Sequence, residues 1–552
     1  MKKTTAALLI ALMVFSVSSC SMIREKKPDT KKTEEETEET KASETEATAS
    51  EETTTAETSA EETSESTTET TEETTVETSA TEAVEEKKES DFIDISFEYY
   101  SDRDIRYIDG EAYGAEYNLQ TIFVTDDRYP QLSKLLSDEN ANTYNSYKIA
   151  MQTNFDDSET SADNEDYPFL YIADESESVN AIRADKNLLS ITRSYSSYLG
   201  GAHGMYGVAA KNYDPDSAKL LTPDDFCTDK EQLRERIIAE LSKKSDMLYD
   251  DFLNFLGDDM FDWESDIYSI TYSGLTVYFD PYSVAPYASG LITVDIPYKG
   301  NEDILNEKYW TDLPSDYTKI FSEEYDNEGN WCYVLNDDSV DYKITADIDD
   351  YSYNKINISI NGTTTTFDNF FAFSLCPYIV KSGSNTFLYV FTSVEDDYTV
   401  IEIYKVDGTN VTYQGEFSGY ASVFIDPANL KLSMRTDALG TTSIVGIYKV
   451  GDDGMPVQTS EDYKFRATLP MTLIADLEGT VVVDGKATDE KFTAKAGTMI
   501  TRYATDNKTY VDLKTDDGKI IRCDFTFEEY PPKLNDKELT EYFDESEILY
   551  AA

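Results

Sequence analysis

Apolar and polar positions change their pattern several times along the chain. From about 25 to 90 the sequence is almost entirely Thr, Glu, Ser, Ala and Lys, with no aromatic residue and no apolar period. Such a stretch cannot bury enough surface to fold. Period-two strands begin near Asp91, with Phe92-Ile93-Asp94-Ile95-Ser96-Phe97 and then Leu119-Gln120-Thr121-Ile122-Phe123-Val124. Tyr129-Pro130 opens a predicted helix over 131–152. Further strands are expected over 169–172 and 188–192. A second helix is expected over 230–244, with Leu233, Ile237, Ile238 and Leu241 on one face. These elements predict an α+β domain, an antiparallel sheet with helices, over 91–314, in two halves at about 91–175 and 176–314.

Between 315 and 466 nearly everything reads as strand and turn, and one stretch recurs. Phe387-Leu388-Tyr389-Val390 followed by Ile403-Tyr404-Lys405-Val406-Asp407-Gly408 is echoed by Leu430-Lys431-Leu432-Ser433 followed by Ile447-Tyr448-Lys449-Val450-Gly451, at an offset of 43 to 44 residues. Ile356-Asn357-Ile358-Ser359-Ile360-Asn361-Gly362 is a third, weaker copy. The offset suits one propeller blade, but three units are too few to close a ring of about four to eight blades. The expectation is therefore an all-β region of stacked meanders, with a sandwich as the alternative. From 467 to 552, short strands spaced by Asp484-Gly485, Ala496-Gly497 and Asp516-Asp517-Gly518 predict a small SH3-like barrel.

Composition narrows the chemistry. The 41 Tyr against 3 Trp suit β-rich surfaces where a ring packs and a hydroxyl stays wet. A net charge of −62 excludes phosphate-backbone binding, which needs clustered Lys and Arg, so nucleic acid is not an expected partner. Basic proteins would be steered by such a field, although the acidity could equally serve only to keep the chain in solution. Cys227, Cys332, Cys376 and Cys523 form no CxxC pair, which argues against zinc. Only Cys332 and Cys376 are expected to share a domain, and four isolated buried thiols are the expectation.

His203 is the single histidine, and this excludes mechanisms that need two, including HExxH zincins and two-histidine metal hydrolases. A Ser-His-Asp triad with Ser194, Ser196 or Ser197 would lack the G-x-S-x-G elbow. Two carboxylates could hydrolyse a glycoside, but among 109 acids no pair stands out. The acid-rich stretches 156–166 and 347–350 lack EF-hand spacing and read as solvated loops. No metal and no cofactor are called for.

The N-terminus has Lys2 and Lys3, an apolar stretch over 6–15, and then Val17-Ser18-Ser19-Cys20. This arrangement resembles the signal and lipobox of bacterial lipoproteins, with a plain signal peptide or an uncleaved anchor as the alternative. It implies a signal over 1–20, lipid on Cys20, and a disordered acidic tether over 21–90 that holds an extracytoplasmic protein to the bacterial membrane. No later stretch supplies the ~18 apolar residues of a membrane span.

The sharpest local signal is Tyr195-Ser196-Ser197-Tyr198-Leu199-Gly200-Gly201-Ala202-His203-Gly204-Met205-Tyr206-Gly207, with four glycines in eight residues. Read by itself it is either a structural turn or part of a binding surface. Gly200-Gly201-Ala202-His203-Gly204, Asn212-Tyr213-Asp214 and Leu221-Thr222-Pro223-Asp224-Asp225-Phe226 resemble an extracytoplasmic family of unknown-function domains shared by RsiV-type anti-sigma factors and PdaC-type deacetylases. Val277-Tyr278-Phe279-Asp280-Pro281-Tyr282-Ser283-Val284-Ala285-Pro286-Tyr287, followed by Val294-Asp295-Ile296-Pro297-Tyr298, is similar to the family's strand, proline-rich turn and strand. The RsiV-type members bind lysozyme. In PdaC-type members catalysis belongs to a separate metal-dependent domain, which a single histidine rules out here. The resemblance thus implies a non-catalytic surface lipoprotein that binds peptidoglycan or a basic wall-active protein such as lysozyme. The candidate ligand-binding residues are Tyr198, Gly200, Gly201, His203, Tyr206, Tyr282, Pro286 and Tyr287. The rival expectations are a carboxylate-dependent wall-active hydrolase and a purely structural or assembly lipoprotein.

Overall fold

A computed structural model of the chain describes residues 90–164, 169–256, 267–325, 331–337, 339–349, 352–394, 399–466, 470–526 and 532–548. Cys20 and the stretch expected as signal and tether lie outside the described residues, apart from Ser90 at its end. The first sheet runs in chain order through β1 (Ile95–Ile108), β2 (Glu111–Val124), β3 (Ile172–Asp185), β4 (Leu188–Tyr198), β5 (Met205–Asp214) and β6 (Lys219–Leu220). Asp109 and Gly110, at φ 53° and 89°, turn β1 back into β2, as an Asp-Gly pair favours.

Helix α1 (Pro130–Ala162) carries the chain from β2 to β3, which pair in parallel. The sheet is therefore mixed where an antiparallel one was expected, because a helical crossover brings the chain back in its original direction. Pro130 stands in the first turn, where its missing N–H has no intrahelical partner to lose. The helix outruns its expected end at 152. Phe155, Ser158 and Ala162 prolong the buried stripe of Leu132, Leu136, Tyr147 and Met151, so the start of the acid-rich 156–166 stretch is helix and not a loop. Asp347 likewise lies in a strand, 3.8 Å from Lys355.

Helix α2 (Lys230–Ser242) is capped by Asp229, whose side chain accepts from Gln232 N at 3.0 Å. Its Leu233, Ile237 and Leu241 share one core with the three-stranded antiparallel sheet β7 (Tyr268–Ile270), β8 (Gly274–Phe279) and β9 (Ile292–Pro297).

Ten strands follow: β10 (Tyr317–Ile320), β11 (Ser322–Tyr325), β12 (Trp331–Asp337), β13 (Val340–Asp349), β14 (Ser352–Ile360), β15 (Thr363–Phe367), β16 (Ser374–Ser382), β17 (Asn385–Ser393), β18 (Thr399–Asp407) and β19 (Asn410–Ser418). They form two meander sheets, β11 to β15 and β10 with β16 to β19. Behind them stand β20 (Tyr420–Val423), β21 (Leu430–Thr436) and β22 (Thr442–Val450). Along β17 successive side chains enter two different cores. Leu388 and Val390 join Ile344, Ile356 and Ile358, whereas Phe387, Tyr389 and Phe391 join Leu430, Leu432 and Tyr448. A strand covered on both faces reads as an unbroken apolar run, which is how this segment is written. The region is thus three sheets deep, and the two echoing hairpins, β17/β18 and β21/β22, share a core.

The third sheet then continues through β23 (Pro456–Gln458), β24 (Tyr463–Phe465), β25 (Pro470–Thr472), β26 (Leu477–Val483), β27 (Lys486–Ala494), β28 (Met499–Thr505), β29 (Tyr510–Thr515) and β30 (Ile520–Thr526). Asp484-Gly485 and Gly518 make the expected turns. Among the described residues these strands extend the sheet that begins at β20. Cys227 and Cys523 are free and buried, as expected of isolated thiols, and Cys332 is buried. Cys376 is buried as well. Among the described residues no helix is long and apolar enough to cross a membrane.

Candidate functional site

The glycine-rich loop links β4 to β5, whose register pairs Ser197 with Met205. Gly200 and Gly201 take φ of 82° and 118°, where a side chain would strain the backbone. A Cβ on Gly200 would also press on the ring of Tyr171 at 3.3 Å. Tyr198 Oη donates to Gly201 O at 3.2 Å and holds the turn from inside.

His203 stands exposed beyond that turn. Its Nδ1 lies 2.9 Å from Gly204 O, and since a carbonyl can only accept, Nδ1 carries the proton. Nε2 stands 3.3 Å from Tyr282 Oη. The imidazole lies 4.3 Å from the Tyr287 ring, centroid to centroid and tilted by 31°. Tyr287 in turn meets Tyr206 edge-on at 5.6 Å and Tyr282 at 5.6 Å. Pro286 caps the single helical turn Tyr287–Ser289 that presents Tyr287. His203, Tyr206, Tyr282 and Tyr287, with Pro286 beside the last, are therefore gathered around one junction, although the two blocks are about eighty residues apart in sequence, while Tyr198, Gly200 and Gly201 form the turn that precedes His203.

Tyr282 is held at φ 72°, a left-handed conformation costing a bulky residue about 1–3 kcal/mol, yet its side chain is 46 % exposed. The turn fixes it there, with Tyr282 N donating to Ala285 O and Ser283 N to Asp280 O, both at 3.0 Å. Sequence reasoning did not single out Asp280. Its Oδ2 accepts from Tyr195 Oη at 2.5 Å and its Oδ1 from Val208 N at 3.0 Å, tying the β8–β9 turn to the edge of β5. Burial, then this carboxylate, pushes the Tyr195 hydroxyl up to about 12, so it stays protonated and donates. Exposed Leu199, Met205 and Phe169 widen the apolar surface around the loop.

The hydrogen bonds of His203 go to Gly204 and Tyr282 and not to Ser194, Ser196 or Ser197; Ser196 Oγ instead meets Ser176 Oγ at 2.9 Å. The geometry offers rings, hydroxyls and a carbonyl-rich turn as contact groups.

A mixed sheet with a helical crossover, joined to a small antiparallel sheet through an aromatic junction, defines a two-part α+β module. Residues 118–206 match the family described as deacetylase PdaC, and residues 219–299 match the family described as protein of unknown function DUF3298. This stretch is of the PdaC/DUF3298 type that its sequence resembles. The seam between the two matches runs through the junction, with His203 and Tyr206 in the first and Tyr282 and Tyr287 in the second. A crystal structure of a DUF3298 family member from Bacteroides fragilis is 18% identical, over 39% of this chain and 96% of that one, at a TM-score of 0.29. Another, from Pseudomonas aeruginosa, is 20% identical over 40% and 96%, at 0.27. No curated protein matches the chain.

Proposed function

We propose that the protein is a non-catalytic lipoprotein of the bacterial cell surface, anchored through Cys20, whose aromatic junction binds a basic wall-active protein such as lysozyme. The observation that carries this reading is the gathering of His203, Tyr206, Tyr282 and Tyr287 across the seam of the two family segments, with Tyr282 exposed on a strained turn. Rings fixed by tight turns lose little freedom on binding, and such residues dominate protein interfaces. A net charge of −62 speeds the encounter with a cationic partner. The lipid and the 21–90 tether would keep this surface at the envelope. In the same reading the strands after residue 470 are an SH3-like unit grown onto the third sheet.

The test is surface-plasmon binding of lysozyme to the chain from residue 21 onward. Binding should persist at about 150 mM salt, where exposed charges beyond about 8 Å are screened. Tyr287→Ala should weaken it about tenfold or more while the melting temperature holds. Binding that disappears at that salt, or that ignores both Tyr287→Ala and Tyr282→Ala, overturns the reading. Saturable binding to purified peptidoglycan through the same residues would move the ligand to the wall, and release of muropeptides would make the protein a hydrolase.

A further inference from the structure

A second recess lies between α1 and the strands β3 to β5, an open cavity of about 380 Å³. Its origin is legible in side-chain size. Along α1, Leu132, Leu136, Tyr147, Met151 and Phe155 fill the space against the sheet, but Asn142, Thr143 and Ser146 are short and polar where the cavity opens. Opposite them the sheet offers Ala209. What remains is a hole at the small end of the ligand-pocket range, roughly 300–1,000 Å³.

Three charged side chains line it. The register pairs Arg193 with Ala209 and Ile191 with Lys211, so Arg193 and Lys211 are diagonal neighbours on one face, and Glu177 comes from β3 beside them. Arg193 is 16% exposed, and its Nη1 is a buried nitrogen without a hydrogen-bond partner; Glu177 Oε2 stands 3.6 Å away, beyond hydrogen-bond reach. Only the other oxygen of Glu177 is engaged, Oε1 accepting from Tyr117 Oη at 3.0 Å. Lys211 Nζ lies 3.2 Å from Glu139 Oε2, a carboxylate that also accepts from Tyr213 Oη at 3.1 Å. A buried guanidinium N–H lacking an acceptor is costly, and an incoming carboxylate would satisfy it. The flanking acids leave the recess with both signs of charge, in a chain whose overall field repels simple anions. A ligand that is itself neutral overall but carries both charges meets no such barrier.

We propose that this cavity binds the zwitterionic ends of a short peptide, with the carboxylate held by Arg193 and Lys211, the ammonium by Glu177, and Asn142, Thr143 and Ser146 bonding the peptide groups. The site shares no residue with the aromatic junction, so it stands or falls independently of lysozyme binding. Isothermal titration of the chain from residue 21 onward with alanyl-alanine, in its L,L and D,D forms, tests it. At least one form should bind saturably and tighter than about 1 mM. N-acetylation, which removes the ammonium, and C-terminal amidation, which removes the carboxylate, should each weaken binding about tenfold or more. Arg193→Gln and Glu177→Gln should reproduce these two losses separately, with unliganded melting temperatures recorded for each. Either hand supports the proposal: preference for D,D points to ends of wall stem peptides, and preference for L,L to peptides from the medium. Blocked dipeptides that bind as well as the free one, or the absence of saturable binding by either hand, overturn it.

Discussion

A methyl group at position 207 would stand 2.3 Å from both Asp280 Oδ2 and Tyr195 Oη, the two atoms whose hydrogen bond ties the β8–β9 turn to β5. Neither atom is the end of a freely moving side chain, since Asp280 also holds Val208 N. Gly207→Ala should therefore displace the turn that carries Tyr282, at a cost of about 2 kcal/mol from overpacking. Urea unfolding measures that cost, and the same variant should bind lysozyme more weakly. Wild-type stability in this variant would show that the tie is dispensable. The glycines were legible in the sequence because four in eight residues is a local signal. Asp280 was not, being one of 109 acids whose role appears only when the fold brings it to a strand 72 residues away in sequence. The fully buried pair of Arg183 and Asp185 was hidden for the same reason, since the guanidinium's further acceptors are Thr271 O at 3.5 Å and Tyr309 O at 2.6 Å, the latter from beyond β9.

Elements were legible where burial writes a simple period. The core strand β17 and the turns Asp484-Gly485 and Asp516-Asp517-Gly518 stand at their expected places. The far end of α1 was missed because, past Phe155, its buried positions Ser158 and Ala162 carry little apolar signal. Much of β1 was missed because Ser101-Asp102-Arg103-Asp104 is a polar run inside a strand. The edge strand β11 holds an acid that no pattern would mark. Glu323 pairs in register with Tyr333, and burial, opposed only by its hydrogen bond to Tyr333, pushes the carboxyl up to about 8. The unfolded chain loses this proton near the ordinary carboxylate value, while the folded chain keeps it until pH is near 8. Between those values the native state binds more protons, so stability falls as pH rises, by up to about 1.4 kcal/mol per pH unit. Glu323→Gln, which keeps a neutral side chain of the same shape, should flatten this part of the stability curve and raise the melting temperature at pH 8 relative to wild type. Parallel curves for the two proteins from pH 5 to about 8 would contradict the assignment.

At the scale of the whole described molecule, the question is what joins the first sheet to the β stack. Val423 and Ile425 lie in one core with Ile95, Ile122, Leu132 and Leu136. Lys431 Nζ reaches Asp94 Oδ1 at 2.7 Å and Ile95 O at 2.5 Å. Beside them the Arg466 guanidinium lies 3.6 Å from the centroid of Tyr99 on β1 and 4.9 Å from that of Tyr420 on β20, and it donates to Tyr420 Oη. Burial alone would push the Tyr420 hydroxyl up, but the neighbouring cation holds it below its ordinary value. No carboxylate is needed for this arrangement, because two ring faces and a phenol oxygen take up the charge. An arginine so placed is invisible to a linear reading, since its partners stand 46 and 367 residues earlier in the sequence. A desolvated cation–π contact is worth about 2 kcal/mol, so Arg466→Ala should raise hydrogen-exchange rates of the β1 and β20 amides about thirtyfold. The β7 to β9 sheet, which has no part in this seam, should keep its protection. If β1 and β20 exchange at wild-type rates in the variant, the seam rests on its apolar core and the Lys431 contacts, and Arg466 is a buried passenger.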